Sequence, residues 1–225
     1  MKKIALDVDG VLLSFMPAFD EAAAIVLNKK ILVHKDENQQ DFYHLAKRVG
    51  TDEKKVDEIL EYMQTSGMYA KFKPLPGVKE SLDAIKAAGF HITVVTALPE
   101  KAKAMRLINL KEALDFVPDE IHCVGMGKSK EATLMQVNPD VFIDDRIDYL
   151  ASAPFVYHLV WCDQKESQKD NLSQVDVHVH SLKEWVDDHM PRVVKKLDRH
   201  YQEKNPLQGE LKLESGISSR KHTFK

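Results

Sequence analysis

The stretch Asp7-Val8-Asp9-Gly10-Val11 is the part of the sequence that most constrains fold and chemistry. It follows the apolar run Ile4-Ala5-Leu6, which predicts a buried strand. Two carboxylates therefore leave the end of a strand two residues apart, and Gly10 allows the backbone to turn sharply behind them. Because charge beside a core strand is costly, paired acids here indicate metal binding or covalent catalysis. The alternative is an acidic turn without chemistry.

Polar residues also stand at the ends of two later strands. The β-branched run 90–96 ends in the hydroxyl of Thr96, and the apolar run 141–143 leads directly into Asp144-Asp145. Between these runs, Lys128 and Lys130 stand at the start of a short helical stretch. We expect these side chains to meet the pair at positions 7 and 9, since the ends of parallel strands share one edge of a sheet.

Strand and helix patterns alternate from residue 90 onward. The predicted strands cover 90–96, 121–124, 141–144, 156–161 and 177–179. The predicted helices cover 99–114, 129–136, 147–152 and 182–189. This alternation is typical of an α/β protein with a doubly wound parallel sheet, a Rossmann-like core with helices on both faces.

An all-helical cap is predicted between the first two strands of this core. Phe15, Phe19 and Val26 recur at helical spacing behind Ser14, a candidate N-cap. A weaker helical pattern covers 36–48. A third helix follows Thr51 or Asp52, and its apolar stripe consists of Val56, Ile59, Leu60 and Met63.

These patterns predict three parts of the chain. The α/β core is formed by residues 1–13 and 74–190, and the helical cap covers 14–73. Residues 191–225 form a C-terminal extension, in which 192–204 can continue a helix and the polar remainder is flexible or extended.

Composition narrows the class of protein further. The chain has 225 residues, 44% of them hydrophobic, and a net charge of −3, so we expect one sizeable core and no surface for nucleic acid polymers. Its two cysteines, Cys123 and Cys162, are predicted to be buried thiols in a reducing compartment. We expect a cytoplasmic protein, because no signal peptide precedes the first strand and no apolar run reaches membrane-spanning length.

The ordered set of Asp-x-Asp, strand-end Thr, Lys and strand-end Asp-Asp resembles the haloacid dehalogenase superfamily of phosphotransferases, across residues 1–145. The Asp-x-Asp form is similar to the superfamily's phosphatases. The resemblance implies that Asp7 is the nucleophile that forms an aspartyl-phosphate and that Asp9 is the general acid and base. It implies that Thr96 binds a phosphoryl oxygen, with the Ala97 N–H as a second donor.

The same resemblance implies a Mg²⁺ cofactor and a lysine that neutralises Asp7. The metal ligands would be the Asp7 carboxylate, the Asp9 carbonyl and Asp145 directly, with Asp144 acting through water. Lys130 and Lys128 both qualify as the lysine, and Lys130 is preferred because it opens the sequence Lys-Glu-Ala-Thr-Leu.

A helical insertion directly after the first motif resembles the cap of type C1 members of the superfamily. The strings 72–77 and 143–146 are similar to those of the 5′(3′)-deoxyribonucleotidases, although the acid that usually follows the first motif is replaced by Ser14. Phe15 and Phe19 are candidate substrate contacts, with a packing role as the alternative. Arg146 either orients substrate or pairs with Asp144 or Asp148.

The expected function is therefore hydrolysis of a small phosphomonoester, with nucleoside monophosphates among the candidates. Two other functions stay open at this point. One is a phosphotransferase or phosphomutase of the same superfamily, and the other is a catalytically weak binding or regulatory module. The oligomeric state is left open by the sequence.

Overall fold

A computed structural model of the chain describes residues 1–31, 44–163 and 173–204. The strands in this range are β1 (Lys2–Leu6), β2 (Leu13–Ser14), β3 (Lys73–Pro74), β4 (Phe90–Thr96), β5 (Glu120–Cys123), β6 (Val141–Asp144), β7 (His158–Cys162) and β8 (Val177–Val179). The α-helices are α1 (Phe15–Val26), α2 (Leu45–Val49), α3 (Glu53–Thr65), α4 (Val78–Ala87), α5 (Lys103–Leu114), α6 (Glu131–Val137), α7 (Ile147–Ala151), α8 (Leu182–Glu184) and α9 (Met190–Lys204).

A parallel sheet with the strand order β5-β4-β1-β6-β7-β8 forms the centre of the molecule. Strand β1 lies in its middle, and Leu6 pairs with Val94 of β4 on one side and with Ile143 of β6 on the other. This register brings the carboxyl ends of β1, β4 and β6 to one edge. The predicted doubly wound α/β core is confirmed.

One face of the sheet packs against α6 and α7. The buried cluster on this face combines Ala5, Val95, Phe142 and Trp161 from four strands with side chains of the two helices, among them Leu134 and Leu150. Because successive strand residues alternate between faces, Ile4, Leu6, Val94 and Ile143 point the other way, and they are also fully buried. Both faces of the central strands are therefore covered.

The helices α1, α2 and α3 lie between β2 and β3 in the chain, within the residues predicted to form the cap. Helix α3 contacts both α1 and α2, so the three helices pack on one another. The short strands β2 and β3 form an antiparallel pair, and the Leu75 N–H donates to the Leu12 carbonyl at 3.0 Å. The two connections between cap and core thus run side by side.

Several predicted boundaries differ from the observed ones. The helix predicted over 99–114 begins with a 3₁₀ turn at Glu100–Ala102, because its first residues follow Pro99. The helix predicted over 182–189 passes through a π-helical turn, Trp185–His189, and then continues as α9 to Lys204. Strands β5 and β7 are each shifted by one or two residues from their predicted bounds.

The predicted N-cap residues of two helices in the cap differ in whether their side chains form a capping hydrogen bond. Asp52 caps α3 through a hydrogen bond from the Lys55 N–H, whereas Ser14 stands at the N-cap position of α1 without a side-chain hydrogen bond. Most of the helix predicted over 36–48 lies outside the described residues, and its end coincides with α2.

Two compact units divide the chain, Met1–Val186 and Asp187–Lys225. The cap helices belong to the first unit together with the sheet, and the second contains α9. Residues 205–225 of the predicted extension lie outside the described part. Among the described helices, none has the length and apolar character needed to cross a membrane. Cys123 and Cys162 are both free thiols, and the second is buried.

Candidate active site

Asp7 directly follows β1, and a tight loop after it brings the first motif against the end of β6. The Asp7 N–H donates to the Ile143 carbonyl at 3.0 Å, which continues the pairing of β1 with β6. The Val8 carbonyl accepts the N–H groups of Leu12 and Leu13, both at 2.8 Å, and closes the loop. Gly10 has φ +91°, and a Cβ at this position would collide with the Asp145 carboxylate. Only glycine fits this approach of the two motifs.

Lys130 connects the first motif to the end of β6. Its ammonium donates to Asp7 Oδ1 at 2.6 Å and to Asp144 Oδ2 at 2.7 Å, and its side chain has no exposed surface. Lys128 is exposed instead. Of the two candidate lysines, the structure therefore places Lys130 against the predicted nucleophile.

Burial and charge act against each other around this lysine. Burial lowers the pKa of Lys130, but the Asp144 and Asp7 carboxylates outweigh it and raise that pKa above its usual value. Burial raises the pKa of Asp144 to about 6, although the Lys130 charge opposes this. The ammonium therefore stays charged next to two buried carboxyl groups.

Three carboxylates lie close enough to hold one cation. Oxygens of Asp7, Asp144 and Asp145 all lie within 4.8 Å of one another, and all three residues are buried. Asp144 already accepts hydrogen bonds from Lys130 and from the Arg146 N–H, whereas Asp145 lines the adjoining cavity. An all-oxygen set of this kind fits a hard divalent cation.

Asp9 is held by an arginine that the sequence analysis did not include. The Arg106 Nη2 donates to both carboxylate oxygens of Asp9, at 2.7 and 2.9 Å. The Asp9 side chain is 23% exposed and lines the cavity. Burial is the main reason that the pKa of Asp9 rises to about 6, with Arg106 lowering it and Asp7 raising it. A carboxyl group with this pKa can carry a proton near neutral pH, as a general acid must.

Thr96 and Ala97 stand at the end of β4. The Thr96 side chain is 1% exposed, and its hydroxyl has no hydrogen-bond partner among the described residues. A buried hydroxyl without a partner is rare, and a bound oxygen would satisfy it. Ala97 lines the cavity beside it. Both positions are compatible with the predicted contact to a phosphoryl group.

A cavity of about 180 Å³ opens over the acidic residues. Its floor includes Asp7, Asp9 and Asp145, and apolar or aromatic side chains form much of its wall. They come from both the cap and the core: Phe15, Met16, Leu45, Tyr69, Leu75, Leu98, Met126 and Tyr149. The space next to the acids is therefore suited to a flat or apolar group attached to a charged one.

The two predicted aromatic contacts have different environments. Phe15 lines the cavity, but Phe19 is completely buried and is not part of the cavity wall. The rings stack on each other with centroids 5.7 Å apart, so Phe19 supports Phe15 from behind. Phe19 is therefore a packing residue, and its prediction as a substrate contact is corrected.

Arg146 lies at the cavity and beside Asp148, one of its two predicted acidic partners. Its side chain lines the cavity and lies over the Tyr149 ring, 5.2 Å from the centroid. It also lies 3.4 Å from Asp148, while its backbone N–H donates to Asp144. The side chain can thus reach a ligand without leaving its acidic neighbour.

Two charged residues at this site were not included in the sequence analysis, namely Arg106 on α5 and Asp163 after β7. Arg106 lies on the buried face of α5 together with Asn109 and Leu110. Its position one helical turn before two buried residues was the available signal. Asp163 directly follows β7, is 2% exposed and lines the cavity. Its place at a strand end was a signal of the same kind as for Asp144.

Comparisons with known proteins agree with this site. The sequence profile of the family described as 5′ nucleotidase, deoxy (Pyrimidine), cytosolic type C protein matches residues 1–156. None of the curated proteins that were compared matches the chain in sequence.

Solved structures with low sequence identity share the fold. A haloacid dehalogenase-like hydrolase from Streptococcus pneumoniae has a TM-score of 0.58 at 13% identity, over 83% of this chain and 97% of that one. A haloacid dehalogenase-type hydrolase from Entamoeba histolytica has a TM-score of 0.53 at 14% identity, over 87% and 100%. A hydrolase from Pseudomonas syringae has a TM-score of 0.52 at 15% identity, over 85% and 99%.

The profile match covers both the first motif and the acid pair after β6, where the carboxylates and Lys130 come together. The chain therefore belongs to the 5′ nucleotidase, deoxy (Pyrimidine), cytosolic type C protein family, and its fold and enzyme class are those of a haloacid dehalogenase superfamily phosphatase.

Proposed function

We propose that this enzyme is a Mg²⁺-dependent phosphomonoester hydrolase that works through an aspartyl-phosphate on Asp7. The observation that carries the proposal is the buried bridge from Asp7 through Lys130 to Asp144, with Asp145 beside it at the cavity floor. A carboxylate repels a phosphate dianion, and this arrangement supplies both a fixed ammonium and a ligand set for a cation. When bound, Mg²⁺ would screen the negative charges of Asp7 and the phosphoryl group.

In the proposed first step, a carboxylate oxygen of Asp7 attacks phosphorus and the bond to the leaving oxygen breaks. Asp9, protonated at the start, gives its proton to that oxygen, so the product leaves as an alcohol. Lys130 balances charge on Asp7. In this proposal the Thr96 hydroxyl, which has no hydrogen-bond partner among the described residues, and the Ala97 N–H donate to phosphoryl oxygens.

In the proposed second step, Asp9 removes a proton from a water molecule that attacks the aspartyl-phosphate. The bond between Asp7 and the phosphoryl group breaks, which releases phosphate and restores both carboxyl groups to their starting state. The cap residues over the cavity would limit access of bulk water to this intermediate.

The cavity wall supports a (deoxy)nucleoside monophosphate as the substrate class. Phe15 and Tyr69 offer aromatic surface above the acids, and the apolar side chains Leu45 and Leu98 extend it. A nucleobase is flat and has an aromatic face, so it can stack on such side chains. The family description, which names a deoxy 5′ nucleotidase, supports the same choice.

A screen of phosphomonoesters with added Mg²⁺ tests this proposal. It compares deoxyribonucleoside 5′-monophosphates, the matching ribonucleotides and sugar phosphates, each with and without chelator. We expect metal-dependent release of phosphate, highest with nucleotides, and a loss on the order of a thousandfold or more in Asp7→Asn. If Asp7→Asn kept more than about a tenth of the activity, the covalent mechanism would be wrong. Transfer of phosphate to added alcohols would instead identify a phosphotransferase.

A further inference from the structure

Arg106 is a fully buried cation on α5, and Asp9 is the carboxylate it bonds. One nitrogen, Nη2, donates to both Asp9 oxygens, at 2.7 and 2.9 Å. Among the described residues, the Nε and Nη1 atoms of Arg106 have no hydrogen-bond partner. The pairing with Asp9 therefore fixes the positions of both side chains.

The same guanidinium contacts the segment through which the chain leaves the cap. Its central carbon lies 4.8 Å from the centroid of the Phe72 ring and 5.9 Å from that of Tyr69. One turn further along α5, the Asn109 side chain accepts the Phe72 N–H at 3.1 Å and donates to the Phe72 carbonyl at 2.9 Å. Helix α5 thus contacts both this segment and the Asp9 carboxylate, through side chains one turn apart.

The other buried cation of the site is committed elsewhere. Lys130 donates to Asp7 and Asp144, two members of the carboxylate cluster. The Asp9 carboxylate is instead directed by Arg106, while its side chain still lines the cavity. The two acids of the first motif are therefore held by two different buried cations, Asp7 by Lys130 and Asp9 by Arg106.

We propose that Arg106 is a positioning residue for Asp9. Arg106 sets the direction from which the Asp9 carboxyl group reaches the leaving oxygen. Its contacts with Tyr69 and Phe72 make that direction depend on the position of this segment as well. This inference rests on the proposed function, in which Asp9 gives a proton to the leaving oxygen as the phosphorus–oxygen bond breaks. Arg106 itself touches neither the substrate nor the cluster of Asp7, Asp144 and Asp145 in this assignment.

The positioning role of Arg106 is tested by how strongly kcat/KM depends on the leaving group of the substrate. p-Nitrophenyl phosphate releases a phenolate that leaves without a proton, whereas benzyl phosphate releases an alkoxide that needs one. We expect Asp9→Asn to lower kcat/KM for benzyl phosphate by a factor on the order of a hundred more than for p-nitrophenyl phosphate. Arg106→Gln should produce the same selective loss, by roughly tenfold or more. The double variant that combines Arg106→Gln with Asp9→Asn should show no greater selective loss of kcat/KM for benzyl phosphate than Asp9→Asn alone.

Two controls separate positioning from general damage to the fold. Arg48→Gln breaks another buried arginine–aspartate pair, the one with Asp20 in the cap, and should leave the ratio of the two rates unchanged. Arg106→Lys keeps the charge but not the planar fork, and should change the ratio in the same direction by about threefold or more, less than Arg106→Gln does. If Arg106→Gln does not fold, Arg106→Lys decides, and a wild-type ratio in it would overturn the inference.

The remaining outcomes distinguish failure of the positioning role from failure of the proposed function. Equal losses on both substrates in Arg106→Gln, with a selective loss in Asp9→Asn, would overturn the positioning role and leave the proposed function intact. Failure of the wild-type enzyme to release phosphate with Mg²⁺ from these two esters and from nucleoside monophosphates would overturn the proposed function and this inference with it.

Discussion

Lys130 bridges Asp7 and Asp144 without any exposed surface, and this geometry leads to a prediction about both rate and stability. Lys130→Met keeps the aliphatic part of the side chain but removes the charge between two buried carboxyl groups. We expect kcat to fall by about a hundredfold or more for every substrate, because each shares the phosphoryl group. We also expect a loss of about 3–5 kcal/mol in the free energy of unfolding, because a buried pair is broken.

Steady-state kinetics on several phosphomonoesters and urea denaturation measure these two effects. Lys128→Met is the matched control, since Lys128 stands two residues earlier and is exposed. A fall in activity in Lys128→Met with little change in Lys130→Met would exchange the roles of the two lysines.

The two acids after β6 differ in their surroundings. Asp144 accepts hydrogen bonds from Lys130 and the Arg146 N–H, while Asp145 faces the cavity. We expect Asp145→Asn to raise the Mg²⁺ concentration needed for half-maximal activity by about tenfold or more, a size seen when metal sites lose a supporting group. Asp144→Asn should raise this Mg²⁺ concentration less than Asp145→Asn does. A titration of activity against Mg²⁺ in each variant measures this, and the opposite order would make Asp144 the direct ligand.

At the scale of elements, helix α1 contributes one ring to the cavity wall and one ring to the packing of the cap. Phe15 lines the cavity and Phe19, one turn later, is completely buried behind it. We expect Phe19→Ala to cost about 3–5 kcal/mol of unfolding free energy, as is usual for a buried phenylalanine. Phe15→Ala should cost less and should change the relative kcat/KM values among nucleotides and sugar phosphates.

Thermal unfolding and a comparison of substrates on the same variants test this division of roles. Phe19→Leu and Phe15→Leu are the milder controls, since they keep most of the apolar volume. Uniformly lower rates in Phe15→Ala, with preference unchanged, would contradict a role for this ring in substrate selection.

Some elements could be predicted well from sequence because their signal is local. The strands β1, β4 and β6 are four to seven residues long, and each contains apolar or β-branched residues with polar residues at its carboxyl end, so both their existence and the edge carrying the site follow from the pattern. Strands β2 and β3 have two residues each, which is too short for any periodicity. Their pairing depends on the approach of the two cap connections, which is a tertiary contact.

At the scale of the whole molecule, the parts of the site that escaped prediction are those that depend on packing. Helix α5 buries Arg106 and Asn109 together with two leucines, whereas Ile108 is 48% exposed, so these two polar residues and this one apolar residue lie opposite to the usual pattern. Phe15 and Phe19 are four residues apart on one face of α1, and only the position of the cap over the sheet distinguishes the ring at the cavity from the ring behind it. The preference for Lys130 over Lys128, by contrast, came from the local sequence alone, and Lys130 is the lysine that the fold buries.

The central claim is that Asp7 receives the phosphoryl group with Mg²⁺ bound beside it. The most direct test is a crystal structure of the enzyme with Mg²⁺ and beryllium fluoride, which mimics a phosphoryl group on a carboxylate. The account predicts beryllium bonded to a carboxylate oxygen of Asp7, with Lys130 and Thr96 within hydrogen-bond distance of the fluorides or of Asp7, and Mg²⁺ on Asp145. Beryllium fluoride bonded to any other residue, or bound without contact to Asp7, would contradict it.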